Sequence, residues 1–239
     1  MILHKMARAG LHCLGMTNEA KFKRAMTFDR AKYPADYLLA DRVLEKFHSQ
    51  GGLKQYIQQY KLVSLHRLLT KHKPNTILEL GTGSSSVIFA NYAKKSGARV
   101  VHIDESKKWL NNTKRNVLDY VGDSYDNSEY VFVQKDYDLN KSPVQFWYDY
   151  EIEQEYDLLF LDGPALIAEG NEYKEAICMD VFNVVDSALP KCIVVDMRQP
   201  TTNEIENSFN KKYEAIISSV LNRNPCEGFD YFSVFERKY

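Results

Sequence analysis

Hydrophobic residues follow two different spacings along the chain, and the change falls near residue 73. From 17 to 70, apolar residues recur every three or four positions among charged ones, which is the spacing of amphipathic helices. The pair Gly51 and Gly52 interrupts this pattern. Residues 1–72 are therefore predicted to form a helical segment with two apolar stripes. The stripes are Leu38, Leu39, Val43, Leu44 and Phe47, then Leu53, Ile57, Tyr60, Leu65, Leu68 and Leu69.

After Pro74, short apolar runs alternate with amphipathic stretches. The runs predicted to be strands cover 76–80, 99–103, 130–133, 157–161 and 192–195. Helices are predicted over 84–95, 106–121 and 172–189, and two more strands over 213–220 and 229–235, joined by a turn at Asn224-Pro225. This alternation predicts an α/β protein, doubly wound around a mostly parallel seven-stranded sheet that fills residues 73–239.

The charge balance and the cysteines narrow the range of partners. The chain of 239 residues has 31 basic and 32 acidic side chains and a net charge of −1, whereas proteins that bind nucleic acids usually carry a basic excess. No apolar run approaches the roughly 18 residues of a membrane span. The cysteines Cys13, Cys178, Cys192 and Cys226 are too scattered for a zinc site or a disulfide scaffold. A soluble cytoplasmic protein that binds neither nucleic acid nor membrane is expected.

The loop from Glu79 to Ser86 follows the first predicted strand and opens a helix. Ligands in doubly wound proteins bind beyond the carboxyl ends of the strands. Gly81 permits a tight turn there, and Gly83 lets a ligand approach the backbone without a Cβ in the way. The free N–H groups at the start of the helix would point toward the same ligand. This loop is the first candidate binding element.

Asp104 comes directly after the second predicted strand, 23 residues beyond Gly81. A carboxylate at that place can accept both hydrogen bonds from a ribose diol. A purely structural role, capping the next helix in front of Ser106, is the alternative. Together with the glycine loop, Asp104 indicates a ligand that contains adenosine.

Three stretches resemble the class I S-adenosylmethionine-dependent methyltransferases, whose fold is Rossmann-like. They are Glu79-Leu80-Gly81-Thr82-Gly83-Ser84, Asp104, and the run from Tyr156 to Pro164 that includes Leu161-Asp162-Gly163-Pro164. The last run is closest in style to small-molecule and sugar O-methyltransferases. A dinucleotide-binding dehydrogenase would usually have glycine or alanine where this chain has Ser86, and it would lack the acid Glu79 before the first glycine. The resemblance therefore favours adenosylmethionine over NAD.

The resemblance implies a cofactor, S-adenosyl-L-methionine, and a product, S-adenosyl-L-homocysteine. In the family's positions, Gly81, Thr82, Gly83 and Ser84 would lie against the methionine part of the cofactor, and Glu79 would order the loop. Asp104 would hold the ribose hydroxyls, and Asp136 would accept a hydrogen bond from the adenine amino group. Asp162 would contact the cofactor amino group. These residues are Glu79, Gly81, Thr82, Gly83, Ser84, Asp104, Asp136 and Asp162.

Asp162 and Asp196 are the candidate catalytic residues. Each follows a predicted strand, and a carboxylate near the methyl group could accept the proton that an acceptor hydroxyl loses. Metal-dependent catechol-type relatives pair such an aspartate with an Asp-Asn pair after the fifth strand. Here Met197 replaces the asparagine, so a divalent metal is disfavoured and no metal ligand is predicted. Arg198 could instead pair with an acidic acceptor.

The function expected from this pattern is methyl transfer to a hydroxyl, rather than an amine, of a small molecule or carbohydrate. The helical segment 1–72 would supply the acceptor side of the cleft or a contact between copies, with Tyr33, Tyr37, Tyr56 and Tyr60 as candidate lining. Three alternatives stay open. They are an RNA methyltransferase that uses Lys107, Lys108, Lys114 and Arg115, a noncatalytic adenosylmethionine-binding or partner module, and an NAD-linked enzyme.

Overall fold

In the part of the chain that the structure describes, three helices precede the first strand, in agreement with the helical spacing of apolar residues there. The computed structural model describes residues 18–49, 56–122, 127–152, 154–187, 189–196, 198–217 and 232–238. The N-terminal helices are α1 (Asn18–Lys32), α2 (Pro34–Ser49) and α3 (Tyr56–His72). Gly51, Gly52, Leu53 and the Asn224-Pro225 turn lie outside the described residues, as do Cys13, Cys226 and Met197.

The rest of the described chain contains four more helices and twelve strands. The remaining helices are α4 (Ser84–Ser96), α5 (Lys107–Val121), α6 (Asp180–Ser187) and α7 (Gln199–Phe209). The strands of the main sheet are β1 (Thr76–Leu80), β2 (Arg99–Asp104), β3 (Ser128–Phe132), β6 (Leu158–Leu161), β10 (Cys192–Asp196), β11 (Tyr213–Ile217) and β12 (Phe232–Arg237). The shorter strands are β4 (Lys135–Asp138), β5 (Gln145–Tyr148), β7 (Ile167–Ala168), β8 (Asn171–Glu172) and β9 (Ile177–Cys178).

The main sheet has seven strands in the order β3-β2-β1-β6-β10-β12-β11. The first five of these run parallel, and β12 is antiparallel to both of its neighbours. The predicted fold class, a doubly wound and mostly parallel sheet, is therefore confirmed. The strand order reverses between β1 and β6, so the loops after these strands diverge and leave a crevice for a ligand.

The helices α1 to α3 share a hydrophobic core with the sheet. Leu44 and Leu69 are fully buried in one cluster with Ile77 of β1, Phe89 of α4 and Phe160 of β6. A second cluster fills the other face of the sheet between β1, β6, β10 and the helices α6 and α7. Near residue 72 the chain changes from helices alone to strands and helices, but the same core continues on both sides. Separate domains at 1–72 and 73–239 stay a prediction.

Two predictions of local structure are wrong. The helix expected over 172–189 covers only Asp180–Ser187, because Ile177 and Cys178 pair in parallel with Gln145 and Phe146 of β5. That pairing creates a second sheet, β4-β5-β9, which the pattern of apolar residues does not reveal. Leu38 is 52% exposed, although it was assigned to the first apolar stripe. In the part of the chain that the structure describes, no helix combines the length and the apolar character that a membrane span requires.

Candidate active site

The loop between β1 and α4 is held in a shape that requires glycine at its first turn. Gly81 has φ +86°, and its N–H donates to the carbonyl oxygen of Ile103 over 2.9 Å. A Cβ on Gly81 would lie 2.4 Å from the backbone nitrogen of Gly163 in the loop after β6. The two loops at the switch point thus touch backbone to backbone, and Gly81 serves this contact.

Glu79 braces the same loop from inside the protein. Its carboxylate is fully buried and accepts hydrogen bonds from the hydroxyls of Ser85 and Ser86, at 2.5 and 2.6 Å. His102 of β2 places Nδ1 2.5 Å from the second carboxylate oxygen of Glu79. With these three partners, Glu79 fixes the first turn of α4 against β1 and β2.

Asp104 has a comparable bracing role at the end of β2. One oxygen accepts from the N–H and the hydroxyl of Thr82, at 2.9 and 2.8 Å, and the other accepts from the N–H of Ser106 at 2.8 Å. Burial raises the pKa of Asp104 above its usual value, although the hydrogen bonds from Thr82 and Ser106 oppose that shift. Asp104 therefore positions the glycine loop directly, and its predicted ribose contact stays a prediction.

A cleft of about 190 Å³ opens beyond this loop, at the carboxyl ends of β1, β6 and β10. The loop and the start of α4 supply Thr82, Gly83, Ser84 and Ser85 to its lining. The helix α3 supplies Gln58, Lys61, Leu62 and Leu65. A Cβ added at Gly83 would meet no described atom within 4 Å, and the residue itself lines the cleft. The side of the loop away from Glu79 is thus accessible to a ligand.

Two carboxylates and a lysine lie together at the end of the cleft. Asp162 follows β6, Asp196 ends β10, and both line the cleft with Lys61. The ammonium of Lys61 donates to Oδ2 of Asp196 over 2.5 Å, and both side chains are buried. The other oxygen of Asp196, Oδ1, is buried and has no hydrogen-bond partner among the described residues.

The pKa of Asp162 lies well above its usual range. The dense surroundings of the carboxyl are the largest cause, and the negative charge of Asp196 adds to the shift, while Lys61 and Arg198 oppose it. Asp162 still keeps an exposed surface toward the cleft. In its neutral form it can donate a hydrogen bond to Asp196. The raised pKa therefore favours the proton on Asp162, beside the charge of Asp196.

Arg198 and Trp109 complete the surroundings of the cleft. Arg198 donates to the carbonyl oxygen of Asp162 over 2.5 Å and contacts the sulfur of Cys178 at 3.0 Å. The indole of Trp109, on α5, donates to the carbonyl oxygen of Thr82 over 2.5 Å and lines the cleft. Burial raises the pKa of the Cys178 thiol to about 11, so this thiol is a structural group rather than a nucleophile.

The structure sorts the residues predicted from sequence into three groups. Thr82, Gly83, Ser84, Asp162 and Asp196 line the cleft together. Glu79, Gly81 and Asp104 lie behind the loop and hold its shape. Asp136 lies apart, exposed on β4, where it accepts a hydrogen bond from the N–H of Tyr137. Its adenine contact stays a prediction, because it is not among the residues that line the cleft.

The tyrosines of the N-terminal segment do not line the cleft where their side chains are described. Tyr37 and Tyr60 are buried in the shared core, and Tyr33 is 43% exposed on the surface. Lys61 takes the place that those tyrosines were expected to have. A signal for it exists in the sequence, because Lys61 stands four residues after Ile57 and four before Leu65, within an apolar stripe. A lysine at such a position requires a buried partner.

The described residues contain no group of three or more His, Cys, Asp and Glu side chains arranged to hold a metal ion. The donor set around Asp162 and Asp196 also fits a divalent cation poorly. Such an ion needs several oxygen ligands, and here an ammonium already donates to one of the few available oxygens.

Comparison with known proteins finds similar solved structures but no match by sequence. No family model and no curated protein matches this sequence. Among solved structures, a Podospora anserina methyltransferase with SAH bound is 14% identical, with a TM-score of 0.55 over 90% of this chain and 96% of that one. A cofactor-bound protein from MTB is 16% identical, with a TM-score of 0.52 over 89% of this chain and 95% of that one.

A third similar structure is a Staphylococcus aureus protein provisionally assigned as a caffeoyl-CoA O-methyltransferase. It is 13% identical, with a TM-score of 0.51 over 91% of this chain and 99% of that one. Identities this low establish a shared fold, and function has to be argued from the site itself. The chain thus has the Rossmann-like fold of the class I methyltransferases, as the resemblance implies.

Proposed function

We propose that the protein is an S-adenosyl-L-methionine-dependent methyltransferase that transfers the methyl group to a hydroxyl. The observation that carries this proposal is the cleft beside Gly83, where a Cβ would project into open space while Glu79 and Asp104 hold the loop from behind. A rigid loop with an exposed backbone at the strand switch point is suited to an adenosine-containing ligand. The fold shared with methyltransferases that bind SAH supports the same ligand.

The residues of the cleft have separate roles in this proposal. Thr82, Gly83 and Ser84 would lie against the methionine part of the cofactor, and Trp109 offers an indole face beside it. When bound, the cofactor supplies a methyl group on a positively charged sulfur, which needs alignment more than further activation. The exposed surface of Asp162 in the cleft offers the positive sulfur a carboxyl group to contact, although Lys61 and Arg198 balance the charge of the two carboxyl groups.

Asp162 and Asp196 would receive the proton that the acceptor loses. An alcohol has to give up its proton as it attacks, and a nearby carboxylate can accept it. Asp162 keeps an exposed surface toward the cleft and has a raised pKa, so it would take the proton, while the buried carboxylate of Asp196 would accept a hydrogen bond from the neutral Asp162. This arrangement favours a hydroxyl acceptor, because a neutral amine can attack without a base of this strength.

The acceptor is proposed to be a small molecule or a carbohydrate, and the location is proposed to be cytoplasmic. The basic residues of α5 do not favour RNA, because Lys107 and Lys114 lie over the rings of Phe132 and Tyr130, at 4.5 and 5.6 Å from the ring centres. The exposed Phe28 and Leu38 of α1 and α2 leave room for a contact between copies of the chain. Buried free thiols at Cys178 and Cys192 suit a reducing compartment.

Calorimetry with S-adenosyl-L-homocysteine tests the proposal. The wild-type protein is expected to bind it, and Gly83→Val is expected to abolish binding because the added side chain would occupy the free space beside a backbone that lines the cleft. The backbone of Gly83 is extended, with φ 175°, so valine introduces no strain there. Ser96→Val, at the other end of α4, is the control that should bind as the wild type does.

The outcomes separate the proposal from two of the alternatives left open by the sequence, the NAD-linked enzyme and the noncatalytic module. A folded wild-type protein that binds neither adenosylmethionine nor its product would refute the proposal. Binding of NADH in competition with the product would indicate an NAD-linked enzyme instead. Binding of the product with no turnover on any hydroxyl acceptor, together with an unchanged affinity for Asp196→Asn, would leave a noncatalytic binding module.

A further inference from the structure

We propose that Lys61 is the built-in cation of the carboxylate pair and takes the place that a divalent metal has in metal-dependent O-methyltransferases of this fold. The structural part of this inference stands on the contact between Lys61 and Asp196. Its catalytic meaning rests on the proposed function, because the two carboxylates matter for methyl transfer only if the cleft binds the cofactor.

The contact is built across the fold and is not a local helix pair. Lys61 lies on α3 and Asp196 at the end of β10, 135 residues further along the chain, with Nζ and Oδ2 2.5 Å apart. The two side chains are only 9% and 6% exposed. Burial of a lone charge costs several kcal/mol, so each of these groups depends on the other. The pair therefore fixes α3 to the sheet at the end of the cleft.

The ammonium and a divalent metal would compete for the same oxygens. A metal between Asp162 and Asp196 would need oxygen donors that Lys61 now occupies, and its charge would repel the ammonium at short range. The guanidinium of Arg198 is a second positive charge on the same side, because it donates to the carbonyl oxygen of Asp162. Two fixed cations thus balance two carboxyl groups without an ion from solution.

Lys61 acts on the reaction through Asp196 and is a positioning residue. By holding Oδ2, it leaves Oδ1 of Asp196 as the buried oxygen that no described donor satisfies. Lys61 thereby fixes the carboxylate that neighbours Asp162, whose own surface is exposed toward the cleft. Removal of the ammonium would free Oδ2 as well and leave an uncompensated buried charge. A carboxylate in that state is available as an oxygen ligand for a metal ion.

A manganese titration tests this exchange of cations. Mn²⁺ is followed by the loss of its free electron paramagnetic resonance signal, with wild type, Lys61→Ala, Lys61→Arg and the double variant Lys61→Ala/Asp196→Asn. We expect no Mn²⁺ site in the wild type or in Lys61→Arg. Lys61→Ala should bind one ion at least about tenfold more tightly than wild type, because its carboxylate has lost its partner. The double variant should lose this site.

Lys71→Ala is the matched control, since Lys71 lies on the same helix and pairs with Glu236 on the surface. It should bind Mn²⁺ no better than wild type. If Lys61→Ala does not fold, Lys61→Ser takes its place, because the serine hydroxyl can hydrogen-bond a metal-bound water. A wild-type Mn²⁺ site that Asp196→Asn abolishes would overturn the proposal, and so would equal affinities for wild type and Lys61→Ala.

The experiment also separates this inference from the proposed function. The titration needs no cofactor, and S-adenosyl-L-homocysteine binding is measured in parallel on the wild type. Gain of a Mn²⁺ site in Lys61→Ala without cofactor binding by the wild type would remove the proposed function and leave the cation assignment in place. If the wild type binds the cofactor but already holds Mn²⁺ through Asp196, the cation assignment would be wrong and the proposed function would remain.

Discussion

At the scale of single residues, the two glycines of the first loop are required for different reasons. Gly81 needs a positive φ and has the backbone of Gly163 against it, whereas Gly83 is extended and faces open space. We expect Gly81→Ala to lower the free energy of unfolding by about 1–3 kcal/mol, because the side chain is strained and the loops must separate. Gly83→Ala should leave stability unchanged within about 0.5 kcal/mol.

Urea denaturation of the two alanine variants measures this difference. The comparison is matched, since both substitutions add one methyl group two residues apart in the same loop. Equal stabilities for Gly81→Ala and Gly83→Ala would contradict the backbone contact between the loops after β1 and β6. If Gly83→Val also loses cofactor affinity while Gly81→Ala keeps it, then Gly81 supports the structure of the loop and Gly83 contacts the ligand.

Asp180 makes stability depend on pH. It is the first residue of α6, and burial raises its pKa to about 7, although the N–H of Tyr148 donates to Oδ1 over 2.9 Å. The folded protein therefore holds a proton between about pH 4 and pH 7 that the unfolded chain releases. Because the folded state binds more protons in that range, this group lowers the free energy of unfolding as pH rises.

Asp180→Asn isolates this effect. The amide oxygen can still accept from Tyr148, but the group no longer ionises, so the variant should keep its stability where the wild type loses it. At about 1.4 kcal/mol per pKa unit, the gain over wild type should reach at most about 4 kcal/mol above pH 7 and vanish near pH 4. Urea denaturation at several pH values checks this, and parallel curves for the two proteins would rule out the titration of Asp180.

At the scale of elements, strands buried on both faces were predictable and short paired strands were not. The five apolar runs became β1, β2, β3, β6 and β10 within a few residues, because a parallel sheet covered by helices buries nearly every side chain. The strands β4 and β9 carry no such signal. Three of the four residues in Lys135–Asp138 are charged, and β9 has only two residues, so pairing with β5 decides their structure.

The candidate site shows the same division between local and long-range signals. Thr82, Gly83 and Asp162 were predictable because each lies directly after a strand that the apolar pattern reveals. The role of Lys61 was not predictable from sequence. Its partner Asp196 lies 135 residues further along the chain, and only folding brings the two side chains together. The lysine within an apolar stripe signals that a partner exists but does not identify it.

The helix α3 is expected to respond when the cofactor binds. It lines the cleft through Gln58, Lys61, Leu62 and Leu65. These residues are separate from the glycine loop in sequence but line the same cleft. Hydrogen exchange should therefore slow in 58–65 as well as in 82–86 when S-adenosyl-L-homocysteine is added. The edge strand β11 is the internal control and should not change. Protection of the loop without protection of α3 would show that the helix does not contact the ligand.

At the scale of the whole molecule, the acids at the ends of the strands are satisfied by local partners. Glu79 is matched by His102 and two serines, Asp196 by Lys61, and Asp104 by N–H donors. The carboxyl ends of the strands therefore do not form the unscreened acidic edge that their sequence positions suggest. Asp162 alone among these keeps an exposed surface in the cleft, where a positively charged sulfur could meet it.

The shared core predicts that the helical segment and the sheet unfold together. Leu69 of α3 is completely buried in the cluster that contains Ile77 and Phe89, so Leu69→Ala should cost about 2–5 kcal/mol. The only tryptophans, Trp109 and Trp147, lie in residues 73–239, so their fluorescence reports on the sheet portion alone. We expect Leu69→Ala to shift the fluorescence and the far-ultraviolet circular dichroism transitions by the same amount.

Leu38→Ala is the control for this comparison, because Leu38 lies in the same helical segment but is 52% exposed. It should change stability by less than about 0.5 kcal/mol. If the helices formed an independent domain, Leu69→Ala would leave the tryptophan transition where it is and move only part of the circular dichroism signal. Coincident shifts would instead show that α3, which carries Lys61 into the cleft, is held there by the same core that holds Asp162 and Asp196 on the sheet.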